Sequence, residues 1–398
     1  MAIAGDPGTD TDLPRGPPSQ ARRLVVFLDG TWNHPDQQDR GKTKPSNVTK
    51  LARALKPLAA DGRFQITYYD DGVGTSWGLD KWVGGGLGVG LAKNIREAYR
   101  FLAYNYRDGD EIYIFGFSRG AYTARSLTGF IDRVGLLPKS GMFYMLEAFE
   151  QYEQRSAQDA FDTLLAAKKI STRRARIDFI GVWDTVGAIG PPSRFFHTLT
   201  DHRWDYHDVS LVPAIRHARH ALAIDEKRKP FRPTLWTDPV REDQTLEQRW
   251  FPGVHSNIGG GYQRDGLANG ALHWMADEAT KVRLDLDREF LKPYRKFWAH
   301  ELRDSYRHVY RVMGAEPRPI GTAGNNSETL DPSVYYRWCN PDAVLERERE
   351  TSPWRPPELD QYFTSRGIDP VQQLASIRAS RSHNDATAPE ARGSGSPH

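Results

Sequence analysis

Cysteine is nearly absent from this chain: Cys339 is the single one among 398 residues. No intramolecular disulfide can form, and neither a CxxC redox pair nor a cysteine-based zinc site can be built. That usage is compatible with a reducing compartment. Long apolar runs are also missing. No stretch approaches the ~18 consecutive apolar residues that a membrane-spanning helix needs. The opening segment MAIAGDPGTDTDLPRGPPSQARR lacks the apolar core of a secretory signal. The sequence therefore reads as cytoplasmic, with any export by a route other than Sec. Charge of one sign is lacking too. There are 54 Lys and Arg against 51 Asp and Glu, a formal net charge of +3. Such a mixed surface makes no demand for a nucleic-acid partner.

What is present is the material of a large globular fold. Hydrophobic residues make up 38% of the chain and aromatic residues 11%, enough for a sizeable core. Residues 1–21, rich in Pro, Gly, Asp and Thr, read as a disordered N-terminal arm, and residues 379–398 as a disordered tail. Between them, short apolar runs alternate with segments of helical spacing. RLVVFLD (23–29), FQITYYD (64–70), EIYIFGF (111–117), RIDFIGVWD (176–184) and LEQRWFPGVH (246–255) read as strands. LAKNIREAYRFLAYNY (91–106), AYTARSLTGFIDRVG (121–135), MFYMLEAFEQYEQ and LANGALHWMADEA read as helices. The alternation predicts an α/β fold, a mostly parallel central sheet with helices on both faces. Residues 22–284 form the predicted catalytic domain. Residues 285–378, rich in Arg, Trp, Tyr and Pro without a strand period, read as a helical and loop extension packed on it.

One stretch carries chemistry. In IYIFGFSRGAYTAR, Gly116, Phe117, Ser118, Arg119 and Gly120 fit GxSxG after a strand and before a helix. This is the context of a nucleophile elbow. The turn is tight enough that the residues two places either side of the serine must lack side chains. It projects the Ser118 hydroxyl outward and aims the Arg119 N–H at a developing oxyanion. The bland alternative is a βα turn in which Ser118 caps the helix.

A nucleophilic serine needs a general base, and the base needs an orienting acid. In this architecture the chain order is Ser, Asp or Glu, then His. Asp184 follows the strand RIDFIGVWD, and His255 follows the strand in RWFPGVH. Asp265, in YQRDGLANG, is the alternative acid, close in sequence to His255. The second oxyanion donor is expected from the loop after VVFLDGTWN, at Gly30 or Thr31, with Asp29 organising that loop. His217 and His220, in RHARHALAID, read as a pair on one helix face with no acidic partner at metal-ligand spacing. No metal or organic cofactor is expected.

Other motifs do not hold. FLDGT has the shape of the D-x-D-G-T signature of aspartate-dependent phosphatases, but Phe27 stands where the nucleophilic aspartate belongs. VGGGLGVGLAKN (83–94) matches neither GxxxxGK[ST] nor GxGxxG. The Trp- and Gly-rich SWGLDKWVGGGLGVG reads either as a mobile lid or as ordinary core.

FLDGTWN, YYDDGVGT, GDEIYIFGFSRGAYTARSLTGFI, IGVWDTVGAIG, HALAIDEKRKPF and WFPGVHSNIGGGY occur in that order over about residues 22 to 280. Together they resemble the α/β-hydrolase-like family that includes the phospholipase effectors of bacterial type VI secretion. The resemblance implies a serine esterase acting on phospholipid acyl esters in its effector members. It implies Ser118 as nucleophile and His255 as histidine, with Asp184 or Asp265 as acid. One departure is Asn257, where an aspartate commonly follows the HS pair. Effector membership implies peripheral contact with a membrane surface and a secretion-machinery or immunity partner.

The expected reaction is therefore cleavage of carboxylic esters through a Ser-His-Asp triad and an acyl-enzyme. The alternatives are a soluble esterase for small or polysaccharide-linked acyl groups and a non-catalytic, partner-binding scaffold. A histidine base predicts activity that falls on the acid side, near its ordinary pKa of about 6.5 unless burial moves it.

Overall fold

A computed structural model describes residues 21–30, 38–39, 41–72, 86–187, 209–306, 311, 314–341 and 353–387. Strands β1 (Arg23–Leu28), β4 (Gln65–Asp70), β5 (Glu111–Phe117), β6 (Ile177–Trp183), β7 (His217–Ala223), β8 (Thr245–Phe251) and β9 (Glu328–Leu330) form one sheet in the order β4-β1-β5-β6-β7-β8-β9. All six neighbouring pairs are parallel. Two short strands, β2 (Gln38–Asp39) and β3 (Lys42–Thr43), pair separately as a hairpin.

Helices cover both faces. Within β1 the side chains alternate: Leu24, Val26 and Leu28 join one core with α2 (Gly86–Asn105), α3 (Arg119–Val134), α4 (Met145–Glu153) and α5 (Gln158–Ala167). Val25 and Phe27 join the opposite core with α1 (Asn47–Ala54) and α7 (Gly266–Lys281). Strands buried on both faces need near-continuous apolar sequence, which RLVVFL and EIYIFGF supply. The aromatic side chains of Phe27, Phe115 and Phe179 pack ring to ring across three adjacent strands.

The register brings the carboxyl ends of the strands together. Gly116 pairs with Leu28, Phe117 with Trp183, Trp183 with Ala221 and Ala223 with Phe251. The residues that follow each end therefore share one edge of the sheet, where sites of parallel sheets form.

The five expected strands are present, and two more, β7 and β9, join them in the sheet. HARHALA is β7, a strand and not a helix. His217 and His220, three residues apart on a strand, point to opposite faces. His217 reaches Thr245 Oγ1 at 2.9 Å, while His220 is fully buried. β9 shows that the chain beyond residue 284 enters the sheet as well as packing on it. A third core at this end joins Leu222, Ile224 and Trp250 to Val334, Trp338, Leu359 and Phe363. The last helix, Pro370–Thr387, runs past residue 379, where the tail was expected to begin. The N-terminal arm to residue 20, most of the Trp- and Gly-rich stretch, Thr31 and residues 388–398 lie outside the described residues.

Candidate active site

Ser118 occupies the turn between β5 and α3 with φ 58° and ψ −121°. A serine in this region is strained, and the surroundings enforce it. Its N–H donates to the Trp183 carbonyl at 3.0 Å, and its own carbonyl starts α3 by accepting from the Tyr122 N–H at 3.2 Å. The flanking glycines are required by close approach. A Cβ on Gly116 would lie 2.5 Å from the Gly120 carbonyl oxygen. A Cβ on Gly120 would overlap the carbonyl oxygens of Leu28 and Asp29. The Ser118 hydroxyl does not cap α3.

It faces a histidine instead. His255 opens the short helix α6 (His255–Gly259), four residues after β8 ends. Its Nε2 lies 2.8 Å from Ser118 Oγ, and its Nδ1 lies 2.6 Å from Asp184 Oδ2. A carboxylate only accepts, so Nδ1 carries the proton and donates to Asp184. Nε2 is then the acceptor for the Ser118 O–H. Phe117 packs tilted against the imidazole with ring centroids 4.7 Å apart, and Phe231 packs edge-on at 4.9 Å. Burial pushes the His255 pKa below its ordinary value, although the hydrogen bond and charge of Asp184 pull the other way.

Asp184 is fully buried at the end of β6, with φ 43°. Its N–H donates to Ala221 O at 2.7 Å, and its Oδ1 accepts from the Ala223 N–H at 3.0 Å. Arg318 binds both carboxylate oxygens, Nη1 to Oδ1 at 2.5 Å and Nη2 to Oδ2 at 3.0 Å. Burial alone would raise the Asp184 pKa. The Arg318 charge and the His255 hydrogen bond outweigh it and hold the carboxyl well below the usual range. The other expected acid lies elsewhere: Asp265 Oδ2 accepts from Lys50 Nζ at 2.8 Å.

Asp29 follows β1 beside the elbow, 1% exposed. It accepts from the Gly30 N–H at 2.7 Å, from Tyr69 Oη at 2.9 Å, from Thr49 Oγ1 at 3.0 Å and from Ser46 Oγ. Burial pushes its carboxyl up to about 6 despite these bonds. The Gly30 N–H expected at the oxyanion is thus already given to the Asp29 carboxylate. Thr31, the other residue expected there, is not among those described. Arg119 is the first residue of α3, a position whose N–H is not used within a helix.

Several residues of this site escaped sequence reasoning. Glu226, 1% exposed, accepts from Arg228 Nη2 at 2.8 Å and from the His255 N–H at 3.3 Å. The Arg228 guanidinium lies 3.5 Å from the centroid of the Phe231 ring that covers His255. These three residues belong to HALAIDEKRKPF, a block visible in the sequence without individual roles. His220 Nε2 accepts from the Thr185 N–H at 3.1 Å, next to Asp184, and its Nδ1 lies 3.3 Å from Gln248 Oε1. Arg318 falls in no motif. Asn257 ties the His255 turn to the later chain. Its Oδ1 accepts from the Val254 and Arg303 N–H groups at 3.3 and 3.4 Å, and its Nδ2 donates to the Glu301 carbonyl at 3.3 Å. An aspartate there would lack that donor. Among the described residues no group of three or more His, Cys, Asp or Glu is placed to hold a metal ion. No helix among them is long and apolar enough to cross a membrane.

The parallel sheet, its two helical layers and the strand–turn–helix elbow at its carboxyl edge define an α/β-hydrolase-like protein. The family model for the type VI secretion system phospholipase effector Tle1-like catalytic domain matches residues 22–278, and the chain belongs to that family. An uncharacterized protein of Saccharomyces cerevisiae is 28% identical over an alignment of 256 residues that covers 58% of this chain. The match covers 35% of that relative, so the chain spans about a third of its length. Among solved structures, an uncharacterized protein from Pseudomonas aeruginosa is 18% identical with a TM-score of 0.41, over 70% of this chain and 49% of that one. The Tle1 effector bound to the VgrG spike of the type 6 secretion system is 15% identical with a TM-score of 0.44, over 70% and 77%. The metagenomic carboxyl esterase MGS0156 is 13% identical with a TM-score of 0.28, over 70% and 82%.

Proposed function

We propose that this protein is a serine hydrolase that cleaves carboxylic esters, with phospholipid acyl esters as its substrate class. The observation that carries the reading is the alignment of Ser118 Oγ, His255 and Asp184 through contacts of 2.8 and 2.6 Å at a strained elbow. Membership in a family of phospholipase effectors supports the choice of substrate.

In this reading Ser118 Oγ attacks the ester carbonyl while His255 Nε2 takes its proton. Asp184 fixes the tautomer and stabilises the imidazolium. The oxyanion is met by the Arg119 N–H at the start of α3 and by the loop at Gly30 and Thr31. The Gly30 N–H is held by Asp29, and Thr31, the other loop residue of this reading, lies outside the described residues. Collapse breaks the acyl C–O bond, and the imidazolium protonates the departing alcohol. Water then attacks the acyl-enzyme with His255 again as base, returning the serine and releasing the acid. No step calls for a metal or organic cofactor. Family membership also supports export by the type VI machinery, a route that needs no Sec signal.

The test is labelling by a fluorophosphonate, followed by release of fatty acid from phospholipid vesicles. Labelling of the wild type that Ser118→Ala and His255→Ala both abolish is the expected result. A folded wild type that stays unlabelled would sink the esterase reading in favour of the scaffold. Labelling with turnover of short soluble esters and none of phospholipid would move the substrate to the small-ester class.

A further inference from the structure

Arg318 stands in the segment 314–341, outside the 22–278 covered by the family's catalytic domain. It is 2% exposed. Its guanidinium binds three separate parts of the site. Nη1 and Nη2 grip the two oxygens of Asp184, Nη1 also donates to the Ala223 carbonyl at 2.9 Å, and Nη2 donates to the Phe231 carbonyl at 2.6 Å. Asp184 orients His255 Nδ1, and the Phe231 ring packs against the same imidazole. One cation thus fixes both the carboxylate below the histidine and the aromatic wall beside it.

The chemistry asks for such a group. A carboxylate taken fully out of water favours its neutral form, and a neutral Asp184 could not hold the Nδ1 proton or stabilise an imidazolium. Among the described residues the backbone donor to this carboxylate is the Ala223 N–H. Planar, bidentate pairing is what a guanidinium offers and an ammonium does not.

We propose that Arg318 is a positioning residue of the hydrolase site: it keeps Asp184 ionised and oriented and seats Phe231 on His255, so that the segment after the family's catalytic domain completes the site. This rests on the esterase reading above. The charged and titratable groups facing Asp184 are His255, Arg318 and, at longer range, His220. Those facing His255 are Asp184, Glu226 and Arg228. Glu226 and Arg228 neutralise each other at 2.8 Å, which leaves Arg318 as the cation paired with Asp184.

The experiment compares wild type, Arg318→Gln and Arg318→Lys in the full chain, with thermal melts to establish folding. Two readouts are followed against pH: the rate of fluorophosphonate labelling, and the downfield proton resonance of His255 Nδ1–H. Removing the cation raises the pKa of Asp184 and of the imidazole together. Arg318→Gln is therefore expected to move the acid limb of labelling upward by on the order of one pH unit, with the titration of the resonance moved to correspondingly higher pH. Arg318→Lys keeps the charge but not the fork. It is expected to leave the limb near its wild-type position and to slow labelling roughly tenfold. If Arg318→Gln does not fold, the lysine protein alone decides, and labelling at the wild-type rate overturns the proposal. A folded glutamine protein with the wild-type limb and resonance overturns it equally, since a merely structural arginine would change only the melt. Should the folded wild type not label, the esterase reading fails. The resonance then still reports whether Arg318 governs the Asp184–His255 pair.

Discussion

Asp265 and Lys50 form an ion pair at 2.8 Å, and Asn269 holds the same buried ammonium at 2.9 Å. This pair separates two aspartates that the sequence alone offers as partners of His255, Asp184 by chain order and Asp265 as the alternative. Asp265 secures a lysine that is 1% exposed, whereas Asp184 meets the imidazole. The two should part company on mutation. Asp184→Asn is expected to slow labelling by about 10³- to 10⁴-fold, because the tautomer of His255 is no longer fixed. Asp265→Asn strands the buried Lys50 and should lower the melting temperature, with labelling at a temperature where it stays folded within about threefold of wild type. Equal losses of labelling rate in two folded variants would contradict this division.

His220 predicts how stability varies with acid. It is fully buried, and desolvation together with the Arg125 cation pushes its pKa down to about 3. In the unfolded chain it takes up a proton near pH 6.5, while the folded protein refuses it until about pH 3. Its contribution to stability is therefore complete above about pH 6.5 and declines as the pH falls, at about 1.4 kcal/mol per pH unit. Between pH 6.5 and 5 the loss from this one group is about 2 kcal/mol. Denaturant melts of wild type and His220→Gln over that range check it. The glutamine protein should be less stable at pH 7 by about 1–3 kcal/mol, because a flexible amide does not reproduce the rigid imidazole that accepts the Thr185 N–H and meets Gln248 together. It should also show a shallower decline toward acid. Parallel curves would mean that His220 is not held neutral.

Much of the site was legible because its residues sit where short-range pattern and chemistry coincide. RLVVFL and EIYIFGF are apolar after their first residue, as strands covered on both faces must nearly be, and GxSxG is a steric demand written directly into the residue types. Asp184 and His255 follow apolar runs. HARHALA was missed because alanine and histidine have little strand preference of their own. It becomes a strand by pairing between β6 and β8, a tertiary cause that outweighs propensity. Glu328–Leu330 is three residues long and leaves no period to detect. Arg318, in EPRPIG, is one of many arginines. Its role depends on a reach of 134 residues to Asp184, which no local spacing encodes.

Asn257 carries a smaller test. Its Nδ2 donates to the Glu301 carbonyl while its Oδ1 accepts two backbone N–H groups. An amide suits this mixed demand and a carboxylate does not. Asn257→Asp is isosteric, so any effect is electronic: a lost donor and a charge set against a carbonyl oxygen. The expected cost is about 1–3 kcal/mol of stability, read from chemical denaturation at pH 7. A variant as stable as wild type would show that the contact with Glu301 is not used.

The elbow itself gives the sharpest steric prediction. Gly120 lies in the first turn of α3 against the end of β1, where an added methyl group would overlap the carbonyl oxygens of Leu28 and Asp29. Backbone on both sides cannot give way as a flexible side chain would. Gly120→Ala must therefore push α3 away from β1, and the displacement passes to Ser118 two residues back and to the Asp29 loop beside it. Helix propensity works in the opposite direction, since alanine is favoured over glycine by about 1 kcal/mol in a helix interior. At Gly270, partly exposed in the second turn of α7, a Cβ meets nothing within 4 Å. Gly270→Ala should accordingly stabilise the protein by about 0.5–1 kcal/mol. Gly120→Ala should destabilise it by about 1–3 kcal/mol, as overpacking does, and slow labelling at least tenfold even where it remains folded. Thermal melts and labelling rates of the two variants side by side separate sterics from propensity. A Gly120→Ala protein that melts and labels like Gly270→Ala would mean that the elbow does not need its second glycine.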